Sequence, residues 1–105
     1  MANKEKPDTE LIAERVFDLR REDGTVVPLR VGLRQPRPDP TMDWRCEIYI
    51  EQPGRRPQVR VLNGVDSLQA LALALQILRE EIRSLSNKYG SALTLWGGDD
   101  LTLSL

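Results

Sequence analysis

Few residues of this chain belong to the types that carry out catalysis. Its 105 residues include no histidine and a single cysteine, Cys46. Histidine is the usual general base near neutral pH, and a nucleophilic thiolate needs a basic neighbour. Cys46 lies on the apolar side of the alternating run 44–51, where cysteine typically acts as a small hydrophobic residue. The sequence therefore gives no support for nucleophilic catalysis.

The carboxylates also form no pattern typical of a metal or nucleotide site. Asp99 and Asp100 are adjacent, so their side chains point apart, and no other acidic cluster accompanies them. Glu80 and Glu81 lie among arginines, as on an ordinary solvated helix surface. There is no glycine-rich phosphate loop. We predict no catalytic residue, no cofactor and no metal, and hence a protein that is not an enzyme.

The arginines are the electrostatic feature that needs an explanation. Alternation places many of them on the outward face of a predicted sheet, together with one tyrosine. The outward candidates for contact with a partner are Arg20, Arg30, Arg34, Arg45, Tyr49 and Arg60. Acidic residues lie between them, and a nucleic-acid platform needs a clear positive excess and stacking aromatic side chains. A solvated or protein-binding face is the favoured interpretation.

Four alternating runs must position these residues. Strands are predicted over 14–21, 26–34, 44–51 and 58–62, and the second and third have clear inward and outward sides. The Asp23-Gly24 pair predicts a hairpin turn between the first two strands. Val59 and Val61 are expected to face inward. The segment 35–42 contains three prolines and is predicted to be a loop that does not pair. Phe17, Trp44 and Trp96 are expected to be the large side chains of an otherwise aliphatic core.

One long helix follows the strands. Asp66 is a plausible N-cap, Gln69 completes a capping box, and the helix is expected to run to about Lys88 before the stop signal at Gly90. Its sheet-facing stripe is predicted from spacings of three and four residues as Leu68, Leu71, Leu75, Leu78, Ile82 and Leu85.

The helix has more apolar surface than this stripe. Leu73 and Ile77 fall on its far side, and a helix apolar nearly all round is normally covered on both sides. Two covers are open for them: the C-terminal leucines Leu101, Leu103 and Leu105, or another protein chain. A second copy of this chain would make the protein a homodimer.

The fold class that follows is α+β, with a four- to five-stranded, mainly antiparallel sheet packed on one helix over about 66–88. Residues 1–10 are predicted to be a disordered arm, and residues 11–105 a single domain. The chain has no apolar stretch of the length that spans a bilayer, and its start lacks the apolar region of a secretory signal.

Three motifs together resemble a known family. They are PRPDP at 36–40 leading into DWRC at 43–46, GVDSLQAL at 64–71, and LTLWGG at 93–98. This set resembles an uncharacterised family of small bacterial domains, described only as a domain of unknown function. The resemblance implies a bacterial, single-domain, cytoplasmic protein, and it implies no activity.

The leading functional hypothesis is a non-enzymatic protein-interaction module. Its partner is another protein, either a second copy or a larger bacterial protein, as for an immunity or adaptor protein; the immunity and adaptor roles rest on analogy. The expected contact surfaces are the outward arginine and tyrosine face, the loop 35–42 and the far side of the helix. The alternative is a small regulator that binds nucleic acid through the arginines. No membrane contact is predicted.

Overall fold

The computed structural model describes residues 11–41, 43–98 and 101. Its strands are β1 (Leu11–Arg20), β2 (Val26–Arg34), β3 (Arg37–Pro38), β4 (Trp44–Glu51), β5 (Gln58–Gly64) and β6 (Leu93–Thr94), and its helix is α1 (Ser67–Tyr89), followed by a 3-10 turn at Gly90–Ala92. The predicted α+β class is confirmed. The predicted arm 1–10 lies outside the described residues.

All strand pairs in the sheet are antiparallel. Its order is β5-β4-β2-β1-β6, and β3 continues along the side of β4 that β2 occupies. The hairpin turn after β1 is closed by two hydrogen bonds, one from the Arg21 N–H to the Thr25 carbonyl and one from the Gly24 N–H to the Arg21 carbonyl, and it contains Gly24 at φ +90°. This positive φ explains the Asp-Gly turn signal in the sequence.

The loop prediction for 35–42 is partly wrong. Arg37 pairs with Arg45 and Pro38 with Trp44, so two residues of this proline-rich segment join the sheet as β3. Proline lacks a backbone donor but keeps its carbonyl acceptor, and a two-residue ladder at the end of a strand tolerates that loss. Met42 lies outside the described residues.

Helix α1 begins with the predicted capping arrangement. The Asp66 side chain accepts a hydrogen bond from the Gln69 backbone N–H at 2.8 Å, and Gln69 Oε1 accepts one from the Val65 N–H at 2.7 Å. At the other end, Lys88 Nζ and the Tyr89 hydroxyl both donate to the buried Gln52 side chain, just after β4. Both ends of the helix are thus held by side-chain hydrogen bonds.

The helix is rotated relative to the predicted stripe. Its buried residues are Ala70, Ala74, Leu78, Ile82 and Leu85. Leu68 is 73% exposed, and Leu71 and Leu75 are only half-buried. At 100° per residue, the centre of the buried set lies about 50° from the centre of the predicted stripe.

Close approach to β5 explains this rotation. A Cβ on Gly64 would lie 2.5 Å from the backbone nitrogen of Ala70, which is closer than any side chain allows. Only small residues fit where the helix backbone comes this near to the strand. Alanines therefore face the sheet in the first half of α1, and the leucines predicted for that position are displaced to the flanks.

The core lies between the sheet and the helix. Phe17, Leu29 and Ile48 are fully buried there, as predicted for the inward sides of β1, β2 and β4. Leu101 is also buried, and its carbonyl accepts a hydrogen bond from Arg15 Nη1 at 3.4 Å. It joins the same core cluster, whereas Leu103 and Leu105 lie outside the described residues.

The close approach yields a prediction for two alanines on the same helix. Ala70→Leu should lower the free energy of unfolding by about 1–3 kcal/mol, because the added methylenes have no space beside Gly64. Urea denaturation followed by circular dichroism measures the change. The matched control is Ala72→Leu at an exposed position, where we expect less than about 0.5 kcal/mol. Equal effects of the two variants would contradict the proposed close packing.

Candidate functional site

The outward face of the sheet is organised around Glu47, which is only 7% exposed although it lies on the side opposite the helix. Its carboxylate accepts a hydrogen bond from Arg34 Nη1 at 2.7 Å and a short one from Arg45. Arg37 Nη2 lies 3.4 Å from Oε2, the oxygen that also accepts from Arg45, whereas Arg34 donates to Oε1. Three guanidinium groups therefore converge on one carboxylate at the centre of this face.

The electrostatics of Glu47 follow from these neighbours. Burial raises the pKa of Glu47, but the hydrogen bond from Arg34 and the positive charge of Arg45 outweigh that effect. The net result is a pKa below the ordinary value of 4.5, so Glu47 is ionised at neutral pH. A buried carboxylate is tolerated here because charged donors replace its water shell.

A second set of ion pairs lies four residues further along β2 and β4. Arg30 approaches Glu14 at 3.1 Å and Glu51 at 3.7 Å. Asp39 lies 3.9 Å from Arg45. Four arginines and four carboxylates therefore share this face, counting Arg34, Arg37 and Glu47 from the central cluster, and their formal charges cancel.

Tyr49 lies beside this network and completes a shallow depression. The Arg34 guanidinium stacks over its ring at 5.6 Å from the centroid. Burial raises the pKa of Tyr49, and the negative charge of Glu51 adds to this effect, so the hydroxyl stays protonated. The depression has a volume of about 790 Å³, with Leu11 and Ile12 forming an apolar wall. It offers guanidinium planes, a phenol ring and aliphatic carbon.

The proline-rich segment borders the same face. The Asp39 carboxylate accepts hydrogen bonds from the Thr41 backbone and hydroxyl and from Asn63 Nδ2. The hydrogen bond from the Thr41 N–H, with help from that hydroxyl, lowers the pKa of Asp39 below its usual range. Hydrogen bonds within the segment and one from Asn63 of β5 thus hold it in place.

The structure brings most of the predicted contact residues together, with one exception. Arg30, Arg34, Arg45 and Tyr49 share the outward face as predicted, and Arg20 lies exposed on its β1 border. Arg60 was assigned to the wrong face: it pairs with inward-facing Ile48 and forms an ion pair with Glu81 of the helix.

The same correction applies to its neighbours in β5. Val59 and Val61 pair with outward-facing Tyr49 and Glu47, so they face outward, each 43% exposed. The alternation of Val59, Arg60 and Val61 had predicted the valines on the inward face and the arginine on the outward face. The register with β4 decides which side of β5 faces the helix, and it places Leu62 beside buried Cys46.

Leu73 and Ile77 lie on the flank of α1 nearest β5. Ile77 is one turn before Glu81, which reaches Arg60 of β5, and residues four apart share a helix face. Ile77 is half-buried against the core, and Leu73 is half-buried without joining it. Leu75, on the opposite flank, lines a small cleft with Ala13 and Arg15 of β1. Leu101 also contacts Arg15, so it lies on the side of the helix away from Leu73.

Trp96 is a surface residue that the sequence interpretation missed. It was expected in the core, but it is 87% exposed and has φ +54°. Leu95 and Gly98 exchange hydrogen bonds around it, which makes Trp96 and Gly97 the tip of a two-residue turn. The Gly97-Gly98 pair is typical of a turn, and the turn that the structure shows includes Trp96 as its first central residue.

The remaining chemical candidates do not combine into a site. Cys46 is fully buried, and its thiol donates to the Arg34 carbonyl at 3.5 Å. Within residues 11–41, 43–98 and 101, no three acidic or thiol side chains come close enough to hold a metal ion. Asp99 and Asp100 lie outside that part of the chain. Among the described helices, none is long and apolar enough to cross a membrane.

Comparison with known proteins gives one match. Residues 13–104 match the family DUF6968, described as a domain of unknown function. The match contains all three motifs and agrees with the resemblance that they indicated. No curated protein and no solved structure matches the chain.

The Glu47 cluster predicts a pH-dependent contribution to stability. The pKa of Glu47 in the folded protein lies below its pKa in the unfolded chain. The contribution of Glu47 to the free energy of unfolding is therefore complete above about pH 4.5, the unfolded pKa, and is lost as the pH falls through the pKa of the folded protein. Glu47→Gln should cost about 1–3 kcal/mol at pH 7, because three arginines lose their shared acceptor. Urea unfolding at pH 7 and pH 3 measures both effects, and the cost should be smaller at pH 3.

Glu80→Gln is the control for this prediction. Glu80 pairs with Arg83 on the exposed helix surface at 3.3 Å, and we expect a change below about 0.5 kcal/mol at both pH values. A cost for Glu47→Gln that is small at pH 7, or that is the same at pH 3, would contradict the assigned role of Glu47.

The buried thiol predicts slow chemical modification. Burial raises the pKa of Cys46, and the charge of neighbouring Glu47 raises it further. In the native protein the thiol should react with a disulfide reagent only through unfolding, and the rate should rise to that of a free thiol in denaturant. Absorbance of the released thiolate measures it. Rapid native labelling would show that Cys46 is accessible.

Proposed function

The chain belongs to DUF6968, and we propose that this member of the family is a non-enzymatic protein-interaction module. The observation that carries the proposal is Trp96. One of the two tryptophans of the sequence is thus 87% exposed at the tip of a turn. Its positive φ is a conformation that costs a residue with a Cβ about 1–2 kcal/mol.

Folding alone gives no reason to place tryptophan there. Turns with two positive φ values favour Asn-Gly, and tryptophan contributes little to stability when its ring is in water. Binding to another protein gives such a reason, because tryptophan is among the residues that most often dominate interface energies. Trp96 is therefore proposed as the anchor that enters an apolar pocket of a larger protein.

The outward sheet face is the proposed second contact surface. Its arginines already have carboxylate partners, so they offer a partner their planar faces more than their charge. Arginine and tyrosine are enriched in protein interfaces, and the depression beside Tyr49 has the size for a partner's side chain. An aromatic side chain suits it best, because it would stack on the guanidinium planes.

The narrower role is that of a small bacterial protein that docks on a larger one, as an immunity or adaptor protein does. A chain of 105 residues without histidine suits such a role better than catalysis. The balanced charges of the outward face favour a protein partner over nucleic acid, which requires uncompensated arginines or lysines. A location in the cytoplasm is part of the same proposal.

The Trp96→Asn variant tests the proposal. Asparagine adopts positive φ readily, so this variant should be at least as stable as the wild type in urea denaturation. Immobilised wild-type and variant proteins are exposed to a lysate of the source organism, and the retained proteins are quantified by mass spectrometry. We expect a protein retained by the wild type to be reduced at least tenfold on Trp96→Asn.

The matched control is Leu68→Gln, which removes another exposed apolar side chain from the helix. It should retain the partner as the wild type does. Equal retention by all three proteins, or no retained protein, would overturn the proposal. A salt-sensitive gel shift with duplex DNA or RNA that is lost on Arg30→Ala would instead favour the nucleic-acid regulator.

A further inference from the structure

Strand β5 forms an edge of the sheet. It pairs with β4 along its whole length, and no other strand of the described part of the chain pairs with its second side. Seven residues in extended conformation present an edge about 23 Å long. The backbone N–H and C=O groups along that side form a template for another strand.

Two of the usual devices that protect such an edge, a bulge and a proline, are missing from β5. Its register with β4 is continuous, without a bulge, and no proline lies within the strand. The outward-facing residues at its centre are Val59 and Val61, each 43% exposed. Arg60, the charge between them, points to the other face and is paired with Glu81. The side chains that β5 exposes on the outward face are therefore apolar, and its one charged side chain is already paired with Glu81.

The flank of α1 beside this edge is apolar as well. Leu73 and Ile77 lie on the β5 side of the helix, and neither is fully buried. Edge and flank thus form one surface, with the two valines on the outer side of the sheet, the open backbone in the middle, and the two helix residues on the inner side. We call this surface the β5–α1 edge.

We propose that the β5–α1 edge is the contact surface of a homodimer, in which β5 pairs antiparallel with β5 of a second copy about a twofold axis. The sheet then continues from one copy into the other, and the two helices lie side by side on the same face. The proposal is independent of the contacts assigned above to Trp96 and the outward face.

Self-complementarity favours a second copy as the occupant. A twofold contact uses the same surface of both copies, so every contact between two residues occurs twice. The valines of one β5 strand therefore face the valines of the other. The Arg60–Glu81 pairs of the two copies come together on the helix side as two positive and two negative charges. With a net charge of −1, two copies also repel each other little.

The size of the surface reaches the lower limit of a specific interface. A contact as long as the strand, about 23 Å, and about 20 Å deep across the sheet and the helix buries on the order of 500 Å² per copy, which gives a total of about 1,000 Å², the least that a specific interface requires. A strand pair alone would bury much less. The side chains of Leu73 and Ile77 are therefore needed for a stable dimer.

The test is the mass in solution over a concentration series, measured by sedimentation equilibrium. The wild type should form a species of twice the 11.9 kDa of one chain. Val61→Lys and Leu73→Lys should each weaken the dimer at least tenfold, whereas Val26→Lys on β2 and Leu68→Lys on the other helix flank should not. A wild type that stays monomeric at millimolar concentration, or a dimer that all four variants leave intact, would overturn the proposal.

Cross-linking keeps the test decisive where a lysine variant fails to fold. In a Cys46→Ser background, Val61→Cys should form a disulfide-linked dimer on mild oxidation, because the twofold axis passes near the centre of β5. Val26→Cys, at a position that is more exposed than Val61 but lies on an interior strand, should stay monomeric under the same conditions. Equal cross-linking of the two would refute the proposed pairing. Trp96→Asn should leave the dimer unchanged, which separates this result from the test of the proposed function.

Discussion

The contact between Gly64 and the first turn of α1 is the constraint on which the other features of this fold depend. Because a Cβ on Gly64 would overlap the Ala70 backbone, helix and strand approach more closely here than leucine side chains permit. The helix responds by turning its alanines toward the sheet. That rotation leaves Leu68 in water on one flank and brings Leu73 and Ile77 to the β5 side on the other. It also brings Glu81 to Arg60, which holds the only charge of β5 on the inner side.

The outward face of the sheet follows a different principle. Glu47 lies at its centre and is almost as buried as a core residue, yet it is surrounded by guanidinium groups instead of carbon. The cluster orients the arginine side chains and cancels their charges, so a sequence rich in arginine gives a neutral surface. Such a face binds through shape and stacking more than through attraction at a distance. This is why we favour a protein partner.

Much of the fold could be predicted from the sequence because its signals are local. The Asp-Gly turn, the alternation in 44–51 and the Asp66 cap each specify their own element, and all three are confirmed. The errors arise where a distant contact decides. The phase of β5 depends on its register with β4, and the rotation of α1 depends on Gly64, which precedes the helix by only a few residues but acts through packing. The core position predicted for Trp96 rested on hydrophobicity alone. The turn closed by Leu95 and Gly98 includes Trp96, and this places its ring in water.

A second copy that covers the β5–α1 edge must change amide hydrogen exchange in β5, because strand pairing protects backbone groups that an edge leaves in water. The measurement is hydrogen exchange at increasing protein concentration. In alternate residues of β5 the backbone N–H points away from β4. These amides should exchange freely in dilute solution and become protected as the concentration rises. Fast exchange of those amides at every concentration, with the core strands protected throughout, would show that β5 does not pair with a second copy.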